Sequence, residues 1–188
     1  HEISVILGLR HYGSVLEWKP LPKAFNTYSE YLHINPQEKY FKYNSQRVIE
    51  VASRLSVKPI DVRNACKTYI VYKQLNEFAG VDPQYYSLIQ AAVTNKTLSG
   101  KSCYFRIDPN SYEMDEPSLD LLYQLCQFDC RKDISPKDKI ISDPKHFKHL
   151  AKIVKANGTH DNESIRIYAG NLLRELESGN SNVEKSSS

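Results

Sequence analysis

The sequence has little of what a secreted or membrane protein needs. Its 188 residues include four cysteines, too few and too scattered for the disulfide framework of a small secreted domain. No apolar run is long enough to cross a bilayer, and no stretch has the basic start and apolar centre of a signal peptide. We therefore expect a cytoplasmic protein without a membrane partner.

Motifs of hydrolytic catalysis are also missing. The chain contains no Gly-x-Ser-x-Gly, no His-Glu-x-x-His and no phosphate-binding loop. Asp115, Glu116 and Asp120 would suit a metal-dependent nuclease, but an acidic helix start that complements the helix dipole is the simpler interpretation. We predict no enzymatic activity for this stretch of chain and no cofactor.

The cysteines and histidines of the second half raise the question of zinc. Cys126-x-x-x-Cys130 is followed by His146-x-x-His149, and zinc needs four ligands that converge in a tetrahedron. Cys126 falls within an apolar helical stripe, however, so buried free thiols are the favoured interpretation. We predict no metal site.

Positive charge is concentrated in one part of a nearly balanced chain. The formal net charge is only +3. Between positions 39 and 73 the acidic residues are Glu50 and Asp61, and the basic residues are Lys39, Lys42, Arg47, Arg54, Lys58, Arg63, Lys67 and Lys73. A local basic patch predicts contact with a polyanion at one place on the surface.

The same stretch has the pattern of a helix-turn-helix. A first helix is predicted from Ser45 to Leu55, with Asn44 or Ser45 as its cap and an apolar face at intervals of three and four residues. Ser56 begins the turn, in place of the usual glycine. Pro59 suits the first turn of a second helix, which is predicted to continue to Phe78 and to stop at Gly80.

The buried face predicted for the second helix determines which of its side chains face outward. With Val62 turned inward, the side chains expected to meet base edges in a major groove are Lys58, Ile60, Arg63, Asn64 and Lys67. The predicted phosphate contacts are Lys39, Lys42, Ser45, Arg47, Arg54 and Lys73. An ordinary helical hairpin with a solvated basic face, which would dock a protein partner or a second copy, is the alternative.

The whole chain is predicted to be mainly α, with a helix-turn-helix domain at 19–80 and a helical C-terminal domain at 81–178 that serves dimerisation or regulation. Residues 1–18 are expected to be the trailing end of an upstream domain or a linker, and 179–188 a disordered tail. The segment from Thr97 to Arg106 is open between helix and strand. The expected partners are double-stranded DNA and a second copy in a homodimer.

The helix-turn-helix resembles that of ParB-type proteins, which partition plasmids and chromosomes, in the places held by Ala52, Ser56 and Val62. Gly8-Leu9-Arg10-His11, followed by Lys19-Pro20-Leu21-Pro22, is similar to the junction after the family's nucleotide-binding domain, and to diverged ParB/sulfiredoxin-like proteins of mobile elements and defence loci. The resemblance implies DNA binding as part of a larger protein, with Arg10 as a possible nucleotide or phosphate contact. The family's Gly-Glu-Arg-Arg motif is absent, so any CTPase or nuclease activity would belong to a part upstream.

Overall fold

The computed structural model describes residues 19–38, 40–126 and 141–157, and this part of the chain is mainly helical, as predicted. The elements are α1 (Pro20–His33), α2 (Ser45–Leu55), α3 (Pro59–Ala79), a 3-10 turn (Pro83–Tyr85), α4 (Tyr86–Thr94), β1 (Ser99–Gly100), β2 (Phe105–Arg106), α5 (Glu116–Cys126) and α6 (His146–Asn157). None of these helices is long and apolar enough to cross a membrane. The segments predicted at 1–18 and 179–188 lie outside the described residues, as does the end of the predicted C-terminal domain at 158–178.

The segment that the sequence left open between helix and strand contains two short strands. β1 pairs with β2 in parallel, with Ser99 opposite Phe105 and Gly100 opposite Arg106. Each strand has only two residues, which is shorter than the sequence patterns that predict strands. The pair links the end of α4 to the polypeptide that precedes α5.

The bounds of α2 and α3 follow from local capping chemistry. The side-chain oxygen of Asn44 accepts a hydrogen bond of 3.1 Å from the backbone N–H of Arg47, which caps α2. Pro59 occupies the first turn of α3, where the carboxylate of Asp61 accepts from the N–H of Lys58 at 3.3 Å. α3 ends at Gly80, whose φ of 65° lies in the left-handed region.

Two hydrophobic cores share α3. The first core joins α1, α2 and the first half of α3, and consists of Tyr31, Phe41, Val48, Val51, Ala52, Leu55, Val62, Cys66, Ile70 and Tyr112. The second core takes Val71 and Leu75 from the second half of α3 and packs them with α4, α5 and α6. The boundary predicted near residue 80 therefore falls at the end of a helix that both regions use.

A hairpin from the second half of the chain packs against the first core. Ile107 and Met114 form an antiparallel bridge, and we call this segment the 107–114 hairpin. The side-chain amide of Gln74 donates to the carbonyl of Met114 at 3.1 Å and accepts from its N–H at 2.9 Å. Near the tip, the carbonyl of Asn110 accepts from the N–H of Tyr43 at 2.7 Å. The hairpin thus holds α3 on one side and the entry to α2 on the other.

The turn between α2 and α3 contains a strained serine. Ser56 has a φ of 54°, in the left-handed region where a side chain costs about 1–2 kcal/mol. Ser56 therefore adopts the left-handed conformation that a glycine at this turn position adopts at lower cost. We expect Ser56→Gly to raise the melting temperature by about 2–4 °C, since the relief of strain outweighs the added freedom of the unfolded chain.

Gly80→Ala is the matched control for this substitution. Gly80 has a φ of 65° and nothing within 4 Å of an added Cβ, so the alanine would introduce left-handed strain without a clash. We expect its melting temperature to fall by a similar amount. A Ser56→Gly protein that melts at or below the wild-type temperature would contradict the strain at Ser56. Both values come from thermal denaturation followed by circular dichroism.

Candidate nucleic-acid interface

The segment that leads into α2 is held by one buried tyrosine. The hydroxyl of Tyr31 donates to the carbonyl of Lys42 at 2.7 Å and accepts from the N–H of Asn44 at 2.8 Å. Phe41 turns inward and stacks on the Tyr31 ring with a centroid distance of 4.6 Å, while the side chains of Tyr40 and Lys42 are exposed. The sequence does not indicate this role of Tyr31, because its hydrogen-bond partners lie 11 and 13 residues away in the chain.

The N-terminus of α2 therefore lies on the surface beside a lysine. Ser45 is exposed in the first turn of α2, and the exposed Lys42 precedes the cap residue Asn44 by two positions. The unpaired N–H groups of a first helical turn and the positive end of the helix dipole favour anions. Lys42 and Ser45, both predicted to contact phosphate, are thus brought together.

Of the side chains predicted to face the bases, those at the start and in the first two turns of α3 remain accessible. Lys58 and Ile60 are exposed, and the residue-level exposure of Ile60 is 42%. Arg63 and Asn64 are half-buried one turn later. Ile60, Arg63 and Asn64 share one face of the helix because they are three and four residues apart. The N-terminal end of α3 is also the part that a recognition helix presents to base edges.

The prediction that Lys67 faces outward is wrong. Its ammonium donates to the carbonyl of Val93 at 3.1 Å, near the C-terminal end of α4. Burial lowers the pKa of Lys67, because the charged form loses hydration there. The helical spacing placed Lys67 on the correct face, but α4 packs across that face at this level, so the lysine is not available to a base edge.

Arg63 is accessible only in part. Its Nε atom is enclosed and has no hydrogen-bond partner among the described residues. Burial raises the pKa of Tyr112 in the 107–114 hairpin, and the positive charge of Arg63 acts in the opposite direction. The hairpin therefore lies beside this arginine. The 107–114 hairpin thus limits Arg63 on one side.

Arg47 is a structural residue and not a surface cation. Its side chain is 8% exposed, and its Nη1 lies 2.9 Å from the carboxylate of Glu38. The guanidinium also lies 5.0 Å from the ring centroid of Tyr31. The prediction of a phosphate contact is corrected because the chain after α1 folds back and brings Glu38 over this arginine. The ion pair lowers the pKa of Glu38.

The remaining predicted phosphate contacts differ in their surroundings. Arg54 pairs with Glu50 and Lys73 with Glu77 on exposed helical surface, where such pairs contribute little stability and exchange readily with other anions. Lys39 and Arg10 lie outside the described residues.

The described residues contain no cluster of three or more His, Cys, Asp or Glu side chains arranged to hold a metal ion. Cys130 lies outside the described residues, whereas Cys126 is buried in the second core. Nδ1 of His146 accepts from the N–H of Ser142 at 3.4 Å. The Asp115 carboxylate, considered above for a nuclease, pairs with Arg106 at 2.8 Å.

In comparisons with known proteins, no family model, no curated protein and no solved structure matches this chain.

Proposed function

We propose that this chain binds double-stranded DNA, with the first two turns of α3 in the major groove. The observation that carries the proposal is the accessible N-terminal end of α3, which presents Lys58 and Ile60 directly after the short turn from α2. Asn64 would read an adenine edge, and Ile60 would contact a thymine methyl group. Arg63 would contribute through the part of its side chain that the hairpin leaves accessible.

Phosphate contacts would come from the N-terminal end of α2 and the residues just before it. Lys42 and the first turn of α2, including Ser45, supply positive charge and free N–H groups on an exposed surface. Tyr31 fixes this segment through two hydrogen bonds, so the contacts would need little ordering on binding. The place in a larger partition, regulatory or mobile-element protein that the ParB resemblance implies remains part of the proposal.

Fluorescence anisotropy of a labelled duplex across a salt series tests this function. We expect binding at about 50 mM salt and a slope of log Kobs against log salt of about −3 or steeper, since each neutralised phosphate contributes about −0.9. Absence of binding at the lowest salt, or a slope near zero, would refute the proposal.

A protein-binding surface is the second candidate. The large hydrophobic side chains that are exposed in the described part of the chain are Phe25, Tyr40, Ile49, Ile60 and Phe78. They are distributed over α1, the loop before α2, α2, and both ends of α3, and isolated exposed hydrophobic residues are common on soluble proteins. This candidate ranks second for that reason, and a failure to bind duplex at low salt would favour it.

A further inference from the structure

The face of α3 that carries the proposed base contacts continues towards the segment after α4. Ile60, Asn64 and Lys67 lie on one face because they are separated by four and three residues. The hydrogen bond of 3.1 Å from Lys67 to the carbonyl of Val93 therefore places the end of α4 on this same face. At the rise of an α-helix, the contact lies about 10 Å along α3 from Ile60.

The turn that follows α4 presents a lysine on a fixed backbone. The side-chain oxygen of Asn95 accepts from the N–H groups of Thr97 at 3.0 Å and Leu98 at 3.3 Å. The hydroxyl of Ser99 donates to the carbonyl of Ala92 at 2.8 Å, which ties the end of the turn back to α4. Lys96 is exposed at this turn and forms no ion pair with any other described residue.

Lys101 is exposed in the turn between β1 and β2. The thiol of Cys103 in this turn acts to raise the pKa of Lys67, although burial lowers it, so the turn lies near the face of α3 that carries Lys67. Lys101 lines a cleft of about 500 Å³ together with Gln74, Arg106 and Asp108. Gln74 follows Lys67 by two turns of α3 and so lies on the same face of the helix. The end of α4 and the β1–β2 turn thus both border the face that begins with Ile60.

We propose that Lys96 and Lys101 contact the DNA backbone beside the groove that α3 enters, so that the second core contributes to the interface. This inference rests on the proposed function. The major groove is about 12 Å wide, so a recognition helix inside it has a phosphate backbone on each side. Lysines beside the groove-facing side of the helix can reach these phosphates. These contacts would add affinity and salt dependence without adding sequence preference.

The double variant Lys96→Gln/Lys101→Gln tests the inference in the anisotropy assay. We expect the salt slope to become shallower by about 2 and the affinity at about 100 mM salt to fall by about tenfold or more, because each lost phosphate contact removes about 0.9 from the slope. The sequences that the protein prefers should not change.

Lys148→Gln/Lys152→Gln is the matched control, since both lysines are exposed on α6 and the change in net charge is the same. An equal loss of slope in the control would show a general charge effect and overturn the inference. A wild-type slope for the Lys96→Gln/Lys101→Gln variant, when the wild type binds duplex with the expected salt dependence, would overturn the inference and leave the proposed function in place. Absence of DNA binding by the wild type would refute both.

Discussion

Ile60→Glu is expected to lower the affinity for duplex DNA by about 100-fold or more. The substitution adds a carboxylate to the first turn of α3, where the proposal places a groove bordered by phosphates, and like charges brought together at an interface cost several kcal/mol. The fold should persist, because Ile60 is 42% exposed and outside both cores. A carboxylate near a helix N-terminus is also favourable to the helix dipole.

Ala156→Glu provides the matched control. It also adds one carboxylate at an exposed helical position, in the last turn of α6, the helix that carries the control lysines Lys148 and Lys152. Because α6 contributes none of the proposed DNA contacts and salt screens exposed charges beyond about 10 Å, its affinity should stay within about twofold of the wild type. Equal losses in the two variants, or an unchanged affinity for Ile60→Glu, would remove α3 from the interface.

Tyr31→Phe is expected to lower the free energy of unfolding by about 2–3 kcal/mol, because the carbonyl of Lys42 and the N–H of Asn44 both lose their partner. The ring would remain in place over Phe41 and under the guanidinium of Arg47. For a protein of this size, the melting temperature should fall by about 5–10 °C. Urea denaturation gives the free energy directly.

Tyr40→Phe controls for the loss of a hydroxyl as such. Tyr40 is 83% exposed, and its substitution should change the free energy of unfolding by less than about 0.5 kcal/mol. Equal stability of the two variants would mean that Tyr31 does not fix the entry to α2.

The pH dependence of stability gives Tyr31 a second readout. Burial raises the pKa of Tyr31 in the folded chain, whereas the same hydroxyl in the unfolded chain ionises near about pH 10. The folded state therefore retains the proton longer than the unfolded state, and stability falls as the pH rises above about 10. The decline should be less steep in Tyr31→Phe, with burial of Tyr28 and Tyr69 accounting for part of what remains.

Helix bounds were predictable because the signals that set them are local. Asn44 caps α2, Pro59 begins α3 and Gly80 ends it, and in each case the interacting groups lie within four residues in the chain. The apolar face that the intervals of three and four residues predict for α2 is also buried, and it consists of Val48, Val51, Ala52 and Leu55. A mainly helical fold followed from the same two kinds of signal.

The candidate interface was less predictable because long-range contacts determine which cations remain accessible. Lys67 meets Val93 across 26 positions, and Gln74 meets Met114 across 40. No spacing rule reports such contacts, so the sequence predicts a DNA contact for Lys67 although α4 covers it. The predicted phosphate contact of Arg47 fails for the same reason, because the ion pair with Glu38 depends on how the chain folds back after α1.

Selection of bound duplexes from a random pool tests the central claim most directly, because it reports base contacts separately from phosphate contacts. We predict that the wild-type protein enriches a defined motif containing an A·T pair, and that Asn64→Ala loses the preference at that pair while it still binds unrelated duplex. Enrichment of the same motif by Asn64→Ala, or no enrichment by the wild type, would contradict the placement of α3 in the major groove.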